Sequence, residues 1–127
     1  MDTLAAARRW AETWERAWPT RDVAAIEALY AERASYRSLA FEPATTVERY
    51  LSKTFADESE VECRFGRPVT SGDRAAVEWW ASWLQGGAPI TLAGVTVLRF
   101  DADGFVVDHR DYWNAADRRE PPYDGWG

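Results

Sequence analysis

The 127-residue sequence contains one cysteine and one histidine, and each scarcity removes a class of function. Cys63 alone excludes an internal disulfide. With His109 as the only histidine there is no zinc-ligand pattern, so no metal is expected. No run of ~18 apolar residues occurs, so no helical membrane span is expected. The opening Met1-Asp2-Thr3 lacks the basic start of a secretory leader, and Arg8-Arg9 interrupts the apolar stretch behind it, so the expected location is cytoplasmic. Positive charge is also short: the formal net charge is −6. The basic residues are scattered, with Arg8-Arg9 and Arg118-Arg119 as the densest clusters. Neither a nucleic-acid nor an anionic-membrane partner is expected.

The composition is that of a globular chain, 46% hydrophobic and 28% charged, and the length fits one domain over residues 1–127 with one sizeable core. The anomaly is eight tryptophans. Large aromatics fill cores and also line concave sites, so they point to a bulky interior, a pocket, or both.

The first half has helical periodicity. Leu4, Ala7, Ala11, Trp14 and Trp18 recur at three- and four-residue steps, with Trp10 on the flank of the stripe. Pro19 is expected to close this helix. Asp22 is a natural N-cap for a second, with Val23, Ile26, Leu29 and Tyr30 as its apolar face. Residues 34–39 are expected to be extended, and Phe41-Glu42-Pro43 to be a loop. Thr45 and Glu48 have capping-box spacing and open a third helix carrying Val47, Tyr50, Leu51 and Phe55.

The second half alternates with period two. Val61, Cys63 and Phe65 form the apolar face of a strand. After the Ser71-Gly72-Asp73 turn, residues 75–84 form a strong strand that contains Trp79, Trp80 and Trp83. Gly86-Gly87 reverses the chain into a strand over 90–100. Asp103-Gly104 is a hairpin signal, and residues 105–113 complete the meander. The tail from Pro121 to Gly127 is expected to be irregular, with aromatics that fold back over an opening. Helices first and antiparallel strands after give an α+β fold, with helices gathered on one face of a strongly curved sheet and a cone-shaped interior as the default pocket.

The last strand carries the most chemistry, in His109-Arg110-Asp111-Tyr112-Trp113-Asn114. Side chains alternate along a strand, so His109, Asp111 and Trp113 share one face, and Asp108, Arg110 and Tyr112 the other. At a rise of ~3.3 Å per residue, His109 and Asp111 are expected roughly 7 Å apart, close enough for one ligand atom to reach both. Burial raises a carboxyl pKa and lowers that of an imidazole, which would draw the two toward neutrality. Such a pair suits proton transfer at a carbon next to a carbonyl, typically worth about 10²- to 10⁴-fold in rate. Arg37 and Arg99 are the expected ion-pair partners if Asp111 is instead a scaffold residue.

The Trp14 helix, Asp22 through Ile26, Ala34-Ser35-Tyr36 and the closing Asp103-Gly104 to Trp113 run resemble the nuclear transport factor 2-like superfamily. Within it the chain is similar to the SnoaL-like polyketide cyclase and limonene epoxide hydrolase branch. The resemblance implies a cone of helices in a curved, mostly antiparallel mixed sheet, commonly a homodimer. It covers isomerases, dehydratases, cyclases, epoxide hydrolases and binding proteins alike. In the hydrolase branch an Arg-Asp-Tyr-Phe run supplies an acid, and Asp111 stands at its Asp. Tyr36 matches the first member of a water-holding Tyr-x-Asn pair, with Ser38 in place of the amide. Trp79 and Ala81 occupy the places of an Arg-x-Asp pair, so epoxide hydrolysis by that mechanism is not expected.

These considerations give a candidate site. Asp111 is the principal acid or base, with Tyr36 as hydrogen-bond donor to a developing oxyanion and His109 as helper. Ser38, Trp79, Trp83, Ile90, Leu92 and Trp113 would line the pocket, with Ala81 also facing inward. The expected partner is a flat hydrophobic small molecule with one or two oxygens, handled without metal or organic cofactor. The expected activity is acid–base chemistry of the isomerase, cyclase or hydrolase type. The opposite face, with Glu78, Trp80, Arg110 and Tyr112, has interface composition and would form a homodimer, unless helices or the tail cover it. The competing reading is a non-catalytic ligand-binding or dimerisation module of the same fold. A further one is a subunit whose site a partner completes.

Overall fold

The computed structural model describes residues 1–127. Three helices, α1 (Thr3–Thr20), α2 (Val23–Glu27) and α3 (Val47–Thr54), accompany six strands. The strands are β1 (Tyr30–Arg37), β2 (Glu58–Phe65), β3 (Val69–Ser71), β4 (Arg74–Gln85), β5 (Ala88–Phe100) and β6 (Val106–Ala116). They form one mixed sheet in the order β1-β6-β5-β4-β2, with β3 pairing β4 beside β2. Only β1 and β6 run parallel. The sheet does not close on itself: β1 and β2 remain its two ends.

Helix α1 lies against the concave face. Its stripe Ala6, Ala7, Trp10, Ala11, Trp14, Ala17 and Trp18 is buried. Trp10 meets Phe65 of β2 edge-on at 5.5 Å, and Trp18 meets Trp79 and Trp83 of β4 at 6.1 and 5.6 Å between ring centroids. Burial of large apolar side chains at roughly 1.5–3 kcal/mol each dominates this packing. The small residues Ala7, Ala11 and Ala17 bring the helix close to the strands.

Several local expectations change. Pro19 does not stop α1: the helix runs through it to Thr20 and ends at Arg21 in the left-handed conformation, whose amide reaches back to Ala17 and Trp18. The amide that Pro19 lacks leaves the Glu15 carbonyl free, and the Cys63 thiol donates to it at 3.5 Å. Helix α2 ends at Glu27, so Leu29 lies beyond it and Tyr30 opens β1. The N-cap of α3 is Thr46, whose side chain accepts from the Arg49 amide. Thr45 is instead pinned by a backbone bridge to Tyr36.

The C-terminal tail also departs from expectation. It packs on the outer, convex face of the sheet. The Trp80 indole donates to the Glu120 carbonyl at 2.7 Å, and its ring meets Tyr123 and Trp126 edge-on. Arg64 lies over the Trp126 ring at 5.4 Å. Thr91, bonded to Ser82, donates to the Arg118 carbonyl and accepts from the Glu120 amide. Trp80 thus spends its apolar surface within its own chain. No helix is long and apolar enough to cross a membrane.

Candidate functional site

Between α1, α3 and the concave sheet face lies a cavity of about 270 Å³. Helix α1 contributes Trp10, Trp14 and Trp18, and α3 contributes Tyr50, Lys53 and Thr54. The sheet contributes Tyr36, Glu58, Phe65, Trp79, Trp83, Leu92, Thr96, His109, Asp111 and Trp113, with Ser38, Leu39 and Gln85 completing the wall. Tyr36 of β1, Ser38 just beyond it, Trp79 and Trp83 of β4, Leu92 of β5, and His109, Asp111 and Trp113 of β6 thus line one space. Ile90 is not part of that wall; it is a half-buried neighbour of the core. Trp113 stands partly exposed, with its indole donating to the Ser38 carbonyl at 2.9 Å.

His109 and Asp111 are not separated by the strand rise. Their side chains lean together, with His109 Nε2 2.7 Å from Asp111 Oδ1. Neither Arg37 nor Arg99 pairs with Asp111. Arg110 turns to the other face and pairs with Asp108 at 2.7 Å. The chain has no group of three His, Cys, Asp or Glu residues able to hold a metal ion.

The direction of every hydrogen bond around this pair follows from groups that can only donate. An indole N–H has no acceptor function. Trp10 Nε1 and Trp14 Nε1 both donate to the Tyr30 hydroxyl, at 3.0 and 3.2 Å. With both lone pairs engaged, the Tyr30 hydrogen goes to His109 Nδ1, 2.8 Å away. Nδ1 is therefore the acceptor nitrogen, and the imidazole proton sits on Nε2 and is donated to Asp111 Oδ1. From the other side Trp79 Nε1 donates to Thr96 Oγ1 at 2.9 Å, and Thr96 passes its hydrogen to the same Oδ1 at 2.6 Å. Two chains of donors thus converge on one oxygen. Oδ2 receives no hydrogen bond from the protein, and Asp111 as a whole is buried.

Tyr36 is sandwiched between rings, 3.8 Å from His109 and 4.4 Å from Tyr50. Burial, reinforced by the Asp111 charge and the Tyr50 hydroxyl, pushes its own hydroxyl well above the usual tyrosine range. Burial does the same to Tyr30 and Tyr50. All three are neutral hydrogen-bond donors at any physiological pH. Burial pushes the Cys63 thiol up to about 12, with Glu15 adding to the effect, which leaves it an inert thiol.

The alternation pattern misses several of the groups gathered here. Tyr30 and Thr96 fix the orientation of the His109–Asp111 pair, and Trp10, Trp14 and Trp18 form the helical wall. Glu58 is a second carboxyl in the same cavity and is 1% exposed. Trp18 Nε1 donates to its Oε1 at 2.8 Å, while Oε2 is enclosed without a hydrogen-bond partner. Burial pushes Glu58 up to about 7, against the opposing effects of the Trp18 bond and the Arg21 charge.

A family model described as the SnoaL-like domain matches residues 7–109, and the chain belongs to that family. No curated protein matches the sequence. Among solved structures the chain is similar to an LEH-like epoxide hydrolase of Mycobacterium tuberculosis, with a TM-score of 0.71 and 18% identity over 89% of this chain and 86% of that one. It is similar also to SalBIII, an epoxide hydrolase/cyclase-like enzyme of pyran ring formation in the polyether salinomycin (TM-score 0.74, 19% identity, 89% and 93% covered). A third is a hypothetical protein of Catenulispora acidiphila with a ketosteroid isomerase-like fold, in complex with trimethylamine (TM-score 0.69, 21% identity, 80% and 82% covered). At these identities the likeness establishes the fold.

Proposed function

We propose that the cavity is the site of a SnoaL-like enzyme that performs acid–base chemistry of the isomerase, cyclase or hydrolase type on a hydrophobic small molecule. Asp111 is the base. The observation that carries this reading is the one-sided hydrogen bonding of its carboxylate, which engages Oδ1 twice and leaves Oδ2 for a ligand in an aromatic cavity. In the simplest step Oδ2 takes a proton from a carbon next to a carbonyl. The C–H electron pair becomes the C=C bond of an enolate, the C=O π pair moves onto the oxygen, and a donor such as the Tyr36 hydroxyl steadies the resulting charge. His109, locked as a donor to Asp111, positions the base and does not itself exchange protons with the ligand. Ser38, Trp79, Trp83, Leu92 and Trp113 shape the cavity, and the reaction draws on no cofactor.

Asp111→Asn is the direct test, because its amide oxygen can still accept from His109 and Thr96. Native mass spectrometry of protein from its own host identifies the retained molecule. The wild type is expected to turn that molecule over, and Asp111→Asn to keep the fold and lose the turnover. Equal turnover by the two removes Asp111 from the chemistry. A molecule retained but never converted selects the second reading, a non-catalytic binding module; the two hydrogen bonds that already satisfy Oδ1 speak for it.

A cytoplasmic workplace agrees with the single unpaired thiol. The family habit of homodimerisation would use the strip of outer face that the tail leaves open, around Val95, Tyr112 and Asn114. Tyr112 is 46% exposed there. Sedimentation of wild type against Tyr112→Glu reads this directly.

A further inference from the structure

Glu58 has no role in the chemistry derived so far, and its surroundings are unusual. A buried carboxyl normally satisfies both oxygens, since a polar atom taken out of water without a hydrogen-bond partner loses its solvation and gains nothing in return. Here Oε1 accepts from Trp18, and Oε2 has no partner at all. The indole can only donate, so Oε1 is the acceptor oxygen and a proton on this carboxyl resides on Oε2. Neighbouring ionisable groups are Arg21 at the end of α1, Tyr50 and Lys53 on α3, Cys63 on β2 and Asp111 on β6. None of them forms a hydrogen bond or ion pair with Oε2.

We propose that Glu58 is the second ligand-facing carboxyl of the site, a neutral acid whose Oε2–H is donated to an oxygen of the bound molecule. The two carboxyls then divide the work. Asp111 has one oxygen saturated by donors and offers a lone pair, while Glu58 has one oxygen engaged by a donor and offers a hydrogen. A ligand carrying a carbonyl, ether or epoxide oxygen completes the hydrogen bonding that the protein leaves open. If that oxygen gains full negative charge, the proton crosses to it. The Glu58 O–H bond breaks, a ligand O–H bond forms, and the carboxylate left behind is reprotonated from water. Burial that holds Glu58 near 7 keeps a large protonated fraction at neutral pH. The proposal rests on the cavity being the ligand site, as above, but not on the role of Asp111.

Acetophenone and isopropylbenzene test it, because they share a shape and differ in one acceptor oxygen. Binding is measured by calorimetry on the whole chain. At pH ~5.5 the wild type is expected to prefer the ketone by about tenfold, the equivalent of one hydrogen bond. Above pH ~8, where the carboxyl has lost its proton, the preference is expected to vanish. Glu58→Gln retains a neutral donor at every pH and should keep the preference throughout. Glu58→Leu should lack it throughout. The readout is binding and not turnover, so a lost ketone preference in Glu58→Leu and a lost turnover in Asp111→Asn are separate outcomes, and the two proposals fail separately. A wild-type preference indifferent to pH, a preference surviving in Glu58→Leu, or no ketone binding at either pH would each overturn the assignment of Glu58.

Discussion

The Tyr30 hydroxyl is the acceptor for two indoles and the donor to His109, lying 2.8 Å from Nδ1. This one hydroxyl decides which nitrogen of the imidazole carries the proton. Tyr30→Phe removes the lock. It leaves the Trp10 and Trp14 N–H groups unpaired, and each such buried group is expected to cost about 1–3 kcal/mol in denaturant unfolding. Nitrogen-15 spectra of His109 should show a single Nε2–H tautomer in the wild type and a tautomer mixture in the variant. A single unchanged tautomer in both would show that Tyr30 does not set it.

Thr96→Val tests the other arm with little change in shape. Asp111 loses the 2.6 Å bond from Thr96, and the Trp79 indole loses its acceptor. Stability is expected to fall by about 1–3 kcal/mol. Turnover should fall about tenfold, the equivalent of one hydrogen bond that orients the base. Thr96→Ser, which keeps the hydroxyl, should recover most of both. If valine and serine lose turnover equally, the hydroxyl does not orient Asp111.

The contrast between Asp111 and Glu58 shows what the sequence could reveal and why it stopped there. Strict alternation along β6 places His109 and Asp111 inside with Asp108 and Arg110 outside, as found, because the strand is regular from Asp108 onward. On β2 the same logic fails. Val61, Cys63 and Phe65 alternate inward, which puts Glu58 on the outer face with Glu60 and Glu62. A bulge between Ser59 and Glu62, with Glu60 at φ 52°, flips the parity and turns Glu58 into the cavity. A glutamate in the left-handed region has no sequence signal of the kind glycine gives. Tyr30 was similarly misplaced because Val23, Ile26, Leu29 and Tyr30 keep helical spacing, while pairing with β6 claims Tyr30 for a strand. The direct His109–Asp111 bond depends on rotamers, and residue spacing does not specify them.

Glu58 also makes a prediction about pH and stability. Its folded value of about 7 lies above the ordinary 4.5, so the folded protein holds this proton more tightly than the unfolded chain. The resulting contribution is complete below pH 4.5 and is lost as the pH rises through about 7. Its size is of order 3 kcal/mol. Glu58→Gln keeps an acceptor for Trp18 and has nothing to ionise. The variant should therefore be the more stable protein above pH ~8, with the two curves converging toward acid. Denaturant midpoints across that range are the measurement, and parallel curves would mean that Glu58 ionises as freely folded as unfolded.

Gly94 provides a steric test of the site's outer wall. It pairs with Trp79 on one side and Trp113 on the other. A Cβ there would come within 2.5 Å of the Tyr112 carbonyl, 2.8 Å of Trp113 Cβ and 2.9 Å of Trp79 Cζ2. The first of these is backbone, so relief requires moving β6 itself, and the third pushes the ring whose indole holds Thr96 in place. Gly94→Ala is expected to cost about 1–3 kcal/mol as overpacking, and to lower turnover through Trp79 and Thr96 without touching a ligand-facing polar group. Gly72→Ala is the control: its φ is +60°, but a Cβ there meets nothing within 4 Å, so it adds backbone strain in a turn without pressing on the cavity. Equal losses of turnover in the two variants would mean that general destabilisation, and not displacement of the wall, causes the effect.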